Sequence, residues 1–176
     1  MEQGVLAESG VTGRMVDRFD SAAFEAFYAS TAPSLAAYIR RVCGDASAAE
    51  DILQEAFCRF LRLRHEGMNE ARMRSYLYRT ATTIIYDQWR RRKVAERKTP
   101  DVPDRLLADP SEHIDVIRAL DELAPRDRAL VWLAYVEGAS HAEIGVALGL
   151  SVLSVRVLLY RARAKLARIL RQEVGK

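Results

Sequence analysis

The sequence has few of the residues that build metal sites, disulfide frameworks or catalytic centres. Its 176 residues include two cysteines, Cys43 and Cys58, and three histidines, His65, His113 and His141. Neither set has the short paired spacing that zinc ligands show. No segment has the pattern of a phosphate-binding loop, and no Cys-His or Ser-His-Asp set is indicated. We therefore predict no catalytic residue, no metal and no cofactor, and we expect that the chain is not an enzyme.

Long apolar runs and strand patterns are missing as well. No run of about 18 apolar residues occurs, and the N-terminus has no basic segment followed by an apolar one. We therefore expect neither a membrane span nor a signal peptide, and a cytoplasmic location. Apolar residues instead recur every three or four positions from Phe19 to the C-terminus, which predicts an all-α protein. With 49% hydrophobic residues, such a chain can bury a core.

Charge is distributed unevenly along the chain, although the net charge is only +3. Residues 90–98 and 156–171 are strongly basic, whereas residues 101–122 are mainly acidic. The stretch from 94 to 113 loses the helical pattern and contains three prolines, which indicates a linker. We predict two small helical domains joined by a flexible acidic linker, divided into a tail over 1–18, a first domain over 19–93, the linker over 94–113, and a second domain over 114–174.

The first domain is predicted to contain four helices: one capped by Asp20, one from near Pro33 to Cys43, one ending near Arg64, and one over residues 70–92. Ser47 and Glu50 have the spacing of a capping box at the start of the third helix. The apolar face of that helix consists of Ile52, Leu53, Ala56, Phe57, Phe60 and Leu61. The opposite face carries Asp51, Glu55, Cys58 and Arg62. A polar, partly acidic surface is therefore expected on this helix.

The fourth helix is predicted to have an unusual outer face. Its inner stripe consists of Met73, Leu77, Ala81 and Ile84. The side chains that point away from this stripe are Arg79, Thr82, Thr83, Tyr86, Trp89 and Arg90. Such a face suits unstacked bases, because aromatic rings stack on bases and arginines neutralise phosphates. The alternative is that these aromatic residues only pack against neighbouring helices.

The second domain has the pattern of a helix-turn-helix. Two helices, over 114–123 and 125–138, precede a short helix with a Ser140–Glu143 capping box and a final helix capped by Ser151. Gly149 ends the short helix. The outer side of the final helix is predicted to carry Leu153, Ser154, Arg156, Val157, Tyr160, Arg161 and Arg163. Arginines can contact guanine edges or phosphates there, and apolar side chains can contact thymine methyl groups. The alternative is an ordinary helical hairpin with a basic surface.

Three segments, in this order, resemble those of one known family. They are "GDASAAEDILQEAFCRFLRL", "RSYLYRTATTIIYDQWRRRK" and "LAPRDRALVWLAYVEGASHAEIGVALGLSVLSVRVLLYRARAKLARIL". Together they resemble the extracytoplasmic-function (ECF, group 4) sigma factors of the sigma-70 family, which are promoter-specificity subunits of bacterial RNA polymerase. The resemblance covers residues 20–172. It implies that the segments dock on the polymerase clamp, melt the minus-ten element and read the minus-thirty-five element, respectively.

The resemblance also implies site residues at matching positions. Polymerase docking is expected at Asp51, Gln54, Glu55, Arg59 and Arg62. Contacts to the minus-ten element are expected at Asn69, Arg72, Arg74, Arg79, Thr83, Tyr86, Trp89 and Arg90. Contacts to the upstream element are expected at the outer residues of the final helix, given above. An alternative for Glu55 and Arg59 is that they only stabilise their own helix as an i,i+4 pair, worth about 0.2–0.5 kcal/mol.

Two positions and one stretch depart from the family pattern. Thr83 stands where asparagine is usual, and Tyr76 stands where tryptophan is usual. The stretch "LSVRVL" replaces the usual Gly-Thr-Val-Lys run followed by Ser-Arg. The departures affect base preference in the downstream element and imply more apolar contacts to the upstream element.

The resulting hypothesis is an alternative sigma factor with core RNA polymerase and promoter DNA as partners and an anti-sigma factor as a further candidate partner. Strand opening would use binding free energy, and the catalytic site would belong to the polymerase. One alternative is a free-standing helix-turn-helix regulator that acts without polymerase. Another is a helical adaptor whose basic faces bind acidic proteins.

Overall fold

The computed structural model describes residues 21–63, 68–96 and 114–174, so Asp20, the predicted tail and most of the predicted linker lie outside the described residues. The described parts contain helices and no strand, which confirms the all-α prediction. The helices are α1 (Ser21–Cys43), α2 (Ala46–Leu61), α3 (Glu70–Glu96), α4 (Ile114–Asp121), α5 (Pro125–Tyr135), α6 (His141–Leu148) and α7 (Val152–Val174). We call α1–α3 the first half and α4–α7 the second half.

Helix α1 is continuous through Pro33, so the prediction of two separate helices is wrong. A proline inside a helix removes one backbone hydrogen bond and usually kinks or ends the helix. Packing on both sides of Pro33 opposes this effect. Before it, the Phe27 ring stacks on Phe60 with ring centroids 5.4 Å apart. After it, Leu35 and Tyr38 are fully buried. Tertiary contacts of this kind, more than intrinsic propensity, stabilise helices in proteins.

The N-cap of α2 is Asp45, so the predicted capping box of Ser47 and Glu50 is wrong. The Asp45 Oδ1 atom accepts hydrogen bonds from the backbone N–H groups of Ser47 at 3.0 Å and Ala48 at 3.3 Å. The Ser47 hydroxyl donates to the same oxygen at 2.7 Å. Arg92 of α3 pairs with the other carboxylate oxygen. The Ser47 hydrogen bond, followed by that from Arg92, lowers the pKa of Asp45 to about 2.

Helix α2 ends at Leu61, earlier than the predicted end near residue 64. The residues of its predicted apolar face that are buried are Ile52, Ala56, Phe57 and Phe60. Leu61 is 52% exposed, so its assignment to that face is wrong. One helical step of 100° from the buried Phe60 carries Leu61 away from the core.

Helix α3 extends to Glu96, beyond the predicted end at residue 92 and the predicted domain boundary at 93. Three predicted core residues, Met73, Leu77 and Ala81, are buried. Ile85 is almost fully buried, whereas the predicted Ile84 is only half-buried. The buried side of α3 is therefore broader than a single stripe, because other helices cover it from more than one direction.

The second half has a small core of its own. It consists of Ala119, Leu120, Leu123, Val131, Ala162 and Ile169, from α4, α5, α7 and the turn after α4. Helix α4 ends at Asp121 and α5 ends at Tyr135, each before the predicted ends at residues 123 and 138. Proline at the first position of α5 agrees with the prediction, since its missing N–H has no partner there in any helix.

The main core runs through both halves. Its buried members from the first half include Leu35, Tyr38 and Leu77, and those from the second half include Leu130 and Ile144. Helix α3 packs against both α5 and α6, and α1 packs against α5. The two helical domains are therefore in direct contact, which the pattern of the linker did not indicate.

A test of the α2 cap is the substitution Asp45→Ala. It should lower the free energy of unfolding by about 1 kcal/mol at pH 7, because N-cap loss typically costs 0.5–2 kcal/mol. The folded pKa of Asp45 lies below its ordinary value of 3.8. The carboxylate thus stabilises the fold fully only at a pH well above 3.8, and this contribution is lost as the pH falls toward about 2. Urea titrations of both proteins between pH 7 and pH 3 should show a difference that is constant above pH 5 and narrows below pH 4. A difference independent of pH would contradict the role of the charge.

Candidate nucleic-acid interface

The turn between α6 and α7 has the geometry of a helix-turn-helix. At the start of α6, Ser140 and Glu143 form the predicted capping box: Ser140 N–H donates to Glu143 Oε2 at 2.8 Å, and Glu143 N–H donates to Ser140 Oγ at 3.3 Å. The helix ends at Gly149, whose φ of +66° is left-handed, as the prediction required. Ser151 caps α7 by accepting the Ser154 N–H at 3.1 Å. The helices are bent by 94° at this turn, within the usual helix-turn-helix range of about 90–120°.

A close approach of two backbone segments fixes the turn. The Leu150 N–H donates to the Gly145 carbonyl at 2.8 Å. A Cβ atom on Gly145 would lie 2.7 Å from the Leu150 carbonyl oxygen, which is too close for a non-bonded contact. Glycine at position 145 therefore allows α7 to leave the turn at this angle. The capping pattern alone did not reveal the role of this residue.

The outer face of α7 is apolar near its start and basic further along. Leu153 and Tyr160 are each 73% exposed, and Val157 is 51% exposed. The exposed arginines on this side are Arg156, Arg161 and Arg163. Ser154 is half-buried, and its hydroxyl lies 2.8 Å from that of Ser151. The opposite side is buried in the core, so α7 exposes the predicted set of side chains apart from the half-buried Ser154.

Arg163 has a neighbour that the sequence did not suggest. Its guanidinium lies over the ring of Tyr135, the last residue of α5, 5.8 Å from the ring centroid. Tyr135 is itself mostly exposed. A cation over an exposed ring gains about 0.5–1 kcal/mol, so Tyr135 orients Arg163 without neutralising it. The two residues are 28 positions apart, so no local pattern in the sequence indicated their contact.

The exposed face of α3 is a stripe of cations and one hydroxyl. Arg72, Arg79, Thr83 and Arg90 are exposed and, at 100° per residue, fall within roughly 40° of one another. Trp89 lies beside this stripe and is 39% exposed. The Lys93 ammonium, which the sequence analysis did not single out, sits 4.7 Å from the centroid of the Trp89 ring. This end of α3 thus combines an accessible aromatic ring with several cations.

Two side chains of α3 do not lie where they were predicted, and a third residue, at its N-terminus, has a structural role as well. Thr82 is buried, donates to the Tyr78 carbonyl and lies 2.6 Å from the Tyr38 hydroxyl, so its assignment to the outer face is wrong. Tyr86 is half-buried, and burial raises its pKa. The Asn69 side chain accepts the Arg72 N–H at 2.9 Å and so caps α3. Asn69 remains exposed, so this hydrogen bond does not remove it from the surface.

Two arginines predicted to contact the minus-ten element are paired within α3: Arg90 belongs to the stripe, whereas Arg74 lies on the opposite side of the helix, in the cleft that Glu137 also lines. Arg74 lies 2.5 Å from Glu70, and Arg90 pairs with Asp87. Both pairs are solvent-exposed, and exposed pairs are worth at most about 1 kcal/mol. Both arginines can therefore exchange their carboxylate partners for phosphates at low cost.

The outer face of α2 is exposed and carries both signs of charge. Asp51, Gln54 and Arg62 are exposed, and Glu55 is half-buried. The Arg59 Nε atom lies 2.7 Å from Glu55 Oε1, so the i,i+4 pair exists. Within the part of the chain that the structure describes, neither Asp51 nor Arg62 forms an ion pair. The charges of Asp51 and Arg62 are therefore not neutralised by ion pairs among the described residues.

Neither a metal centre nor a single membrane-spanning helix is present in residues 21–63, 68–96 and 114–174. No three His, Cys, Asp or Glu side chains come close enough there to hold a metal ion. Only α6 and α7 together reach the length and hydropathy of a span, and they are bent by 94°.

Two sigma-factor families match this chain. The family described as Sigma-70 region 2 matches residues 27–94, and the family described as Sigma-70 region 4 matches residues 113–166. The RNA polymerase sigma-E factor of Streptomyces avermitilis is 34% identical over 148 residues, which cover 81% of this chain and 82% of that protein. The ECF RNA polymerase sigma factor SigF of Caulobacter vibrioides is 31% identical over 163 residues, which cover 89% and 90% of the two chains.

Solved structures show the same fold. The sigma factor RpoE from Bartonella quintana, in complex with the anti-sigma factor NepR, superposes with a TM-score of 0.69 at 20% identity, covering 84% of this chain and 96% of that chain. CnrH in complex with the cytosolic domain of CnrY gives a TM-score of 0.63 at 25% identity, covering 86% and 89%. The chain belongs to the extracytoplasmic-function sigma factors of the sigma-70 family. It is an alternative RNA polymerase sigma factor and hence a transcription initiation factor.

The turn before α7 can be tested with Gly145→Ala. The added methyl group should push the Leu150 carbonyl, in the turn before α7, away from α6, at a cost of about 1–3 kcal/mol that exceeds the gain in helix propensity. We expect a net loss of about 1 kcal/mol or more in the free energy of unfolding, measured by urea titration. Val146→Ala, at an exposed neighbouring position, is the control and should change stability by less than about 0.5 kcal/mol. A Gly145→Ala protein as stable as the wild type would show that the turn tolerates a side chain.

Proposed function

We propose that this sigma factor uses three exposed helix faces for three different contacts. The outer face of α2 docks on core RNA polymerase, the cationic face of α3 opens the minus-ten element, and the N-terminal part of α7 reads the minus-thirty-five element. The protein works in the cytoplasm, where it directs the polymerase to a subset of promoters. It supplies binding free energy only, and the polymerase performs the chemistry without a cofactor from this chain.

The observation that carries the proposal is the division of α7 into a buried and an exposed side. Its first turns project from the helix-turn-helix, as recognition helices do when they enter the major groove. Arg156 is exposed in the second turn, where it can reach a guanine edge, and Leu153 and Val157 can contact thymine methyl groups. Arg163 lies two turns further on, where the helix leaves the groove and phosphates become the nearest partners.

The face of α3 suits a separated DNA strand. Arg72, Arg79 and Arg90 can neutralise phosphates, while the accessible Trp89 ring can stack on an unpaired base. Thr83 occupies the centre of the stripe, and its hydroxyl already donates to the Arg79 carbonyl at 2.9 Å. The hydroxyl oxygen remains available as an acceptor. Thr83 is therefore proposed to prefer a base that offers a donor.

Tyr76, the other departure on this helix, is proposed to act through packing. It is half-buried, and its ring centroid lies 6.2 Å from that of Phe60 of α2. A tyrosine there helps to set the position of α3 on α2. The change from tryptophan should consequently alter the placement of the exposed stripe more than it alters direct base contacts.

The two solved relatives suggest a further partner. One is described as a sigma factor bound to an anti-sigma factor, and the other is bound to the cytosolic domain of a second protein. We extend this to the present chain and propose that an anti-sigma factor binds it. That partner would control when the chain is available to the polymerase.

Polymerase docking can be tested by the charge reversal Asp51→Lys with Glu55→Lys. The double variant should bind purified core polymerase at least tenfold more weakly, because attraction at the α2 face becomes repulsion. Promoter-dependent transcription, reconstituted with core polymerase and a library of promoter sequences, should fall in parallel. The control is Glu25→Lys on α1, which is also exposed but lies off this face. Unchanged affinity of the double variant, with circular dichroism confirming its helicity, would refute the docking surface.

If the wild-type chain gives no promoter-dependent transcription but binds the same DNA alone, the free-standing regulator is favoured.

Base reading and backbone contact can be separated on α7. Arg156→Ala should cost about 1–3 kcal/mol on the preferred upstream element and relax its sequence preference, as expected for a bidentate base contact. Arg163→Ala should weaken binding to all sequences about equally and reduce the salt dependence by roughly one unit of slope. The measurement is holoenzyme binding to matched and mismatched upstream elements over a salt series. If both substitutions lower affinity without changing preference, Arg156 is a backbone contact as well.

A further inference from the structure

The end of α5 brings an aromatic ring to the side of α7 that is proposed to contact DNA. Tyr135, the last residue of α5, is 57% exposed, and the Arg163 guanidinium lies 5.8 Å from the centroid of its ring. Among the residues that the structure describes, no carboxylate pairs with Arg163. The ring therefore holds a guanidinium whose charge is not neutralised.

The turn after α5 fixes the backbone that carries this ring. The N–H groups of Val136 and Glu137 both donate to the Trp132 carbonyl, at 2.8 and 3.2 Å. The Trp132 indole N–H in turn donates to Glu137 Oε1 at 3.1 Å. These hydrogen bonds join residues on either side of Tyr135. Its backbone is consequently held in place while its side chain stays exposed.

Arg163 lies on the same side of α7 as Arg156, the residue proposed to read bases. Seven residues separate the two, which is about 700° of helical rotation, so their side chains point within roughly 20° of each other. Along the helix axis they are about 10 Å apart. Recognition helices place their N-terminal residues at the base edges, and the major groove is about 12 Å wide. A side chain two turns beyond the base-reading residue therefore lies near the phosphates at the edge of the groove.

A cation held by a ring is prepared for binding a phosphate. A free arginine side chain has many rotamers, and fixing one of them on binding costs conformational entropy. The cation–π contact restricts the side chain before DNA binds, so less of this cost falls on the binding step. An ion pair would restrict it too, but a phosphate must then displace the carboxylate, as in the Arg90–Asp87 pair of α3. A tyrosine ring carries no charge and can stay in contact with Arg163.

We propose that Tyr135 is a positioning residue for promoter binding, whose ring orients Arg163 toward a phosphate beside the minus-thirty-five element. Helix α5 thereby contributes to promoter affinity without entering the groove. This inference rests on the proposed function, which assigns the phosphate contact to Arg163. Because Tyr135 acts through a backbone contact, it should raise affinity for all upstream elements about equally. The strength of an exposed cation–π contact corresponds to roughly a two- to fivefold change in affinity.

The experiment measures holoenzyme binding to promoter DNA for Tyr135→Leu, which removes the ring, and Tyr135→Phe, which keeps it. Each sigma variant is supplied in excess over core polymerase, so that all of the polymerase carries it. Tyr135→Leu should weaken binding roughly two- to fivefold on matched and mismatched upstream elements alike. Tyr135→Phe should bind as the wild type does. Since the guanidinium is still present in Tyr135→Leu, the slope of log affinity against log salt should stay at its wild-type value, whereas Arg163→Ala reduces it.

Arg161 provides a matched control on the same helix. It is exposed two residues before Arg163, and no described residue forms an ion pair or a cation–π contact with it. In a double-mutant cycle, Tyr135→Leu should have no further effect on an Arg163→Ala protein, because no guanidinium remains to be oriented. In an Arg161→Ala protein it should weaken binding as much as in the wild type. A merely structural role of Tyr135 would give the same loss in both backgrounds.

Three results would overturn the proposal: equal effects of Tyr135→Leu in the two arginine backgrounds, wild-type binding by Tyr135→Leu, or a loss with Tyr135→Phe as large as that with Tyr135→Leu. Each can occur while Arg163→Ala still weakens binding to all sequences and reduces the salt dependence. Failure of the positioning role is therefore distinguishable from failure of the proposed function. If Arg163→Ala leaves binding unchanged, both the positioning role and the proposed phosphate contact are refuted.

Discussion

A desolvated guanidinium imposes the tightest constraint in this structure. Burial lowers the pKa of Arg128, with Asp121 opposing that shift, and a buried cation is stable only where acceptors surround it. The acceptors are the last carbonyls of α1 and those around the end of α4, which would otherwise lack partners. Glycine at position 44 follows from the same packing, since a Cβ atom there would lie 2.8 Å from Arg128 Nη1.

Each functional helix of this sigma factor is defined by what its neighbours leave uncovered. Helix α3 is covered by α1 and α2 on one side and by α5 and α6 on another, so in its middle section, residues 75–88, only Arg79 and Thr83 are exposed. Helix α7 is covered by α4, α5 and α6, which leaves its first turns free on one side. The same packing that stabilises the core thus selects the side chains that can meet DNA. An isolated helix with the same sequence would expose all of its polar residues, so DNA could contact any of them.

The turn before α7 shows how local chemistry sets a functional angle. The capping box at Ser140, the left-handed Gly149 and the Ser151 cap each satisfy backbone groups that would otherwise be exposed at a helix end. Gly145 then lets the backbone of α6 come within hydrogen-bonding distance of Leu150 in the turn. The 94° bend results from these local requirements together. No long-range contact is needed to specify it, and this explains why the sequence predicted the motif correctly.

The sequence by itself determined the features that depend on near neighbours in the chain. These are the helical class, the caps of α6 and α7, the two sides of α7 and the order of the segments that place the chain among ECF sigma factors. Tertiary structure decided the features that depend on contacts between distant residues. Pro33 stays within a helix because both sides of it are packed, Asp45 replaces Ser47 as the α2 cap with support from Arg92, and Thr82 turns inward toward Tyr38. The contact between the halves belongs to this second group as well. Arg128 and Arg41 are 87 positions apart. The hydrophobic periodicity of a sequence does not predict which carbonyl a distant guanidinium will bind.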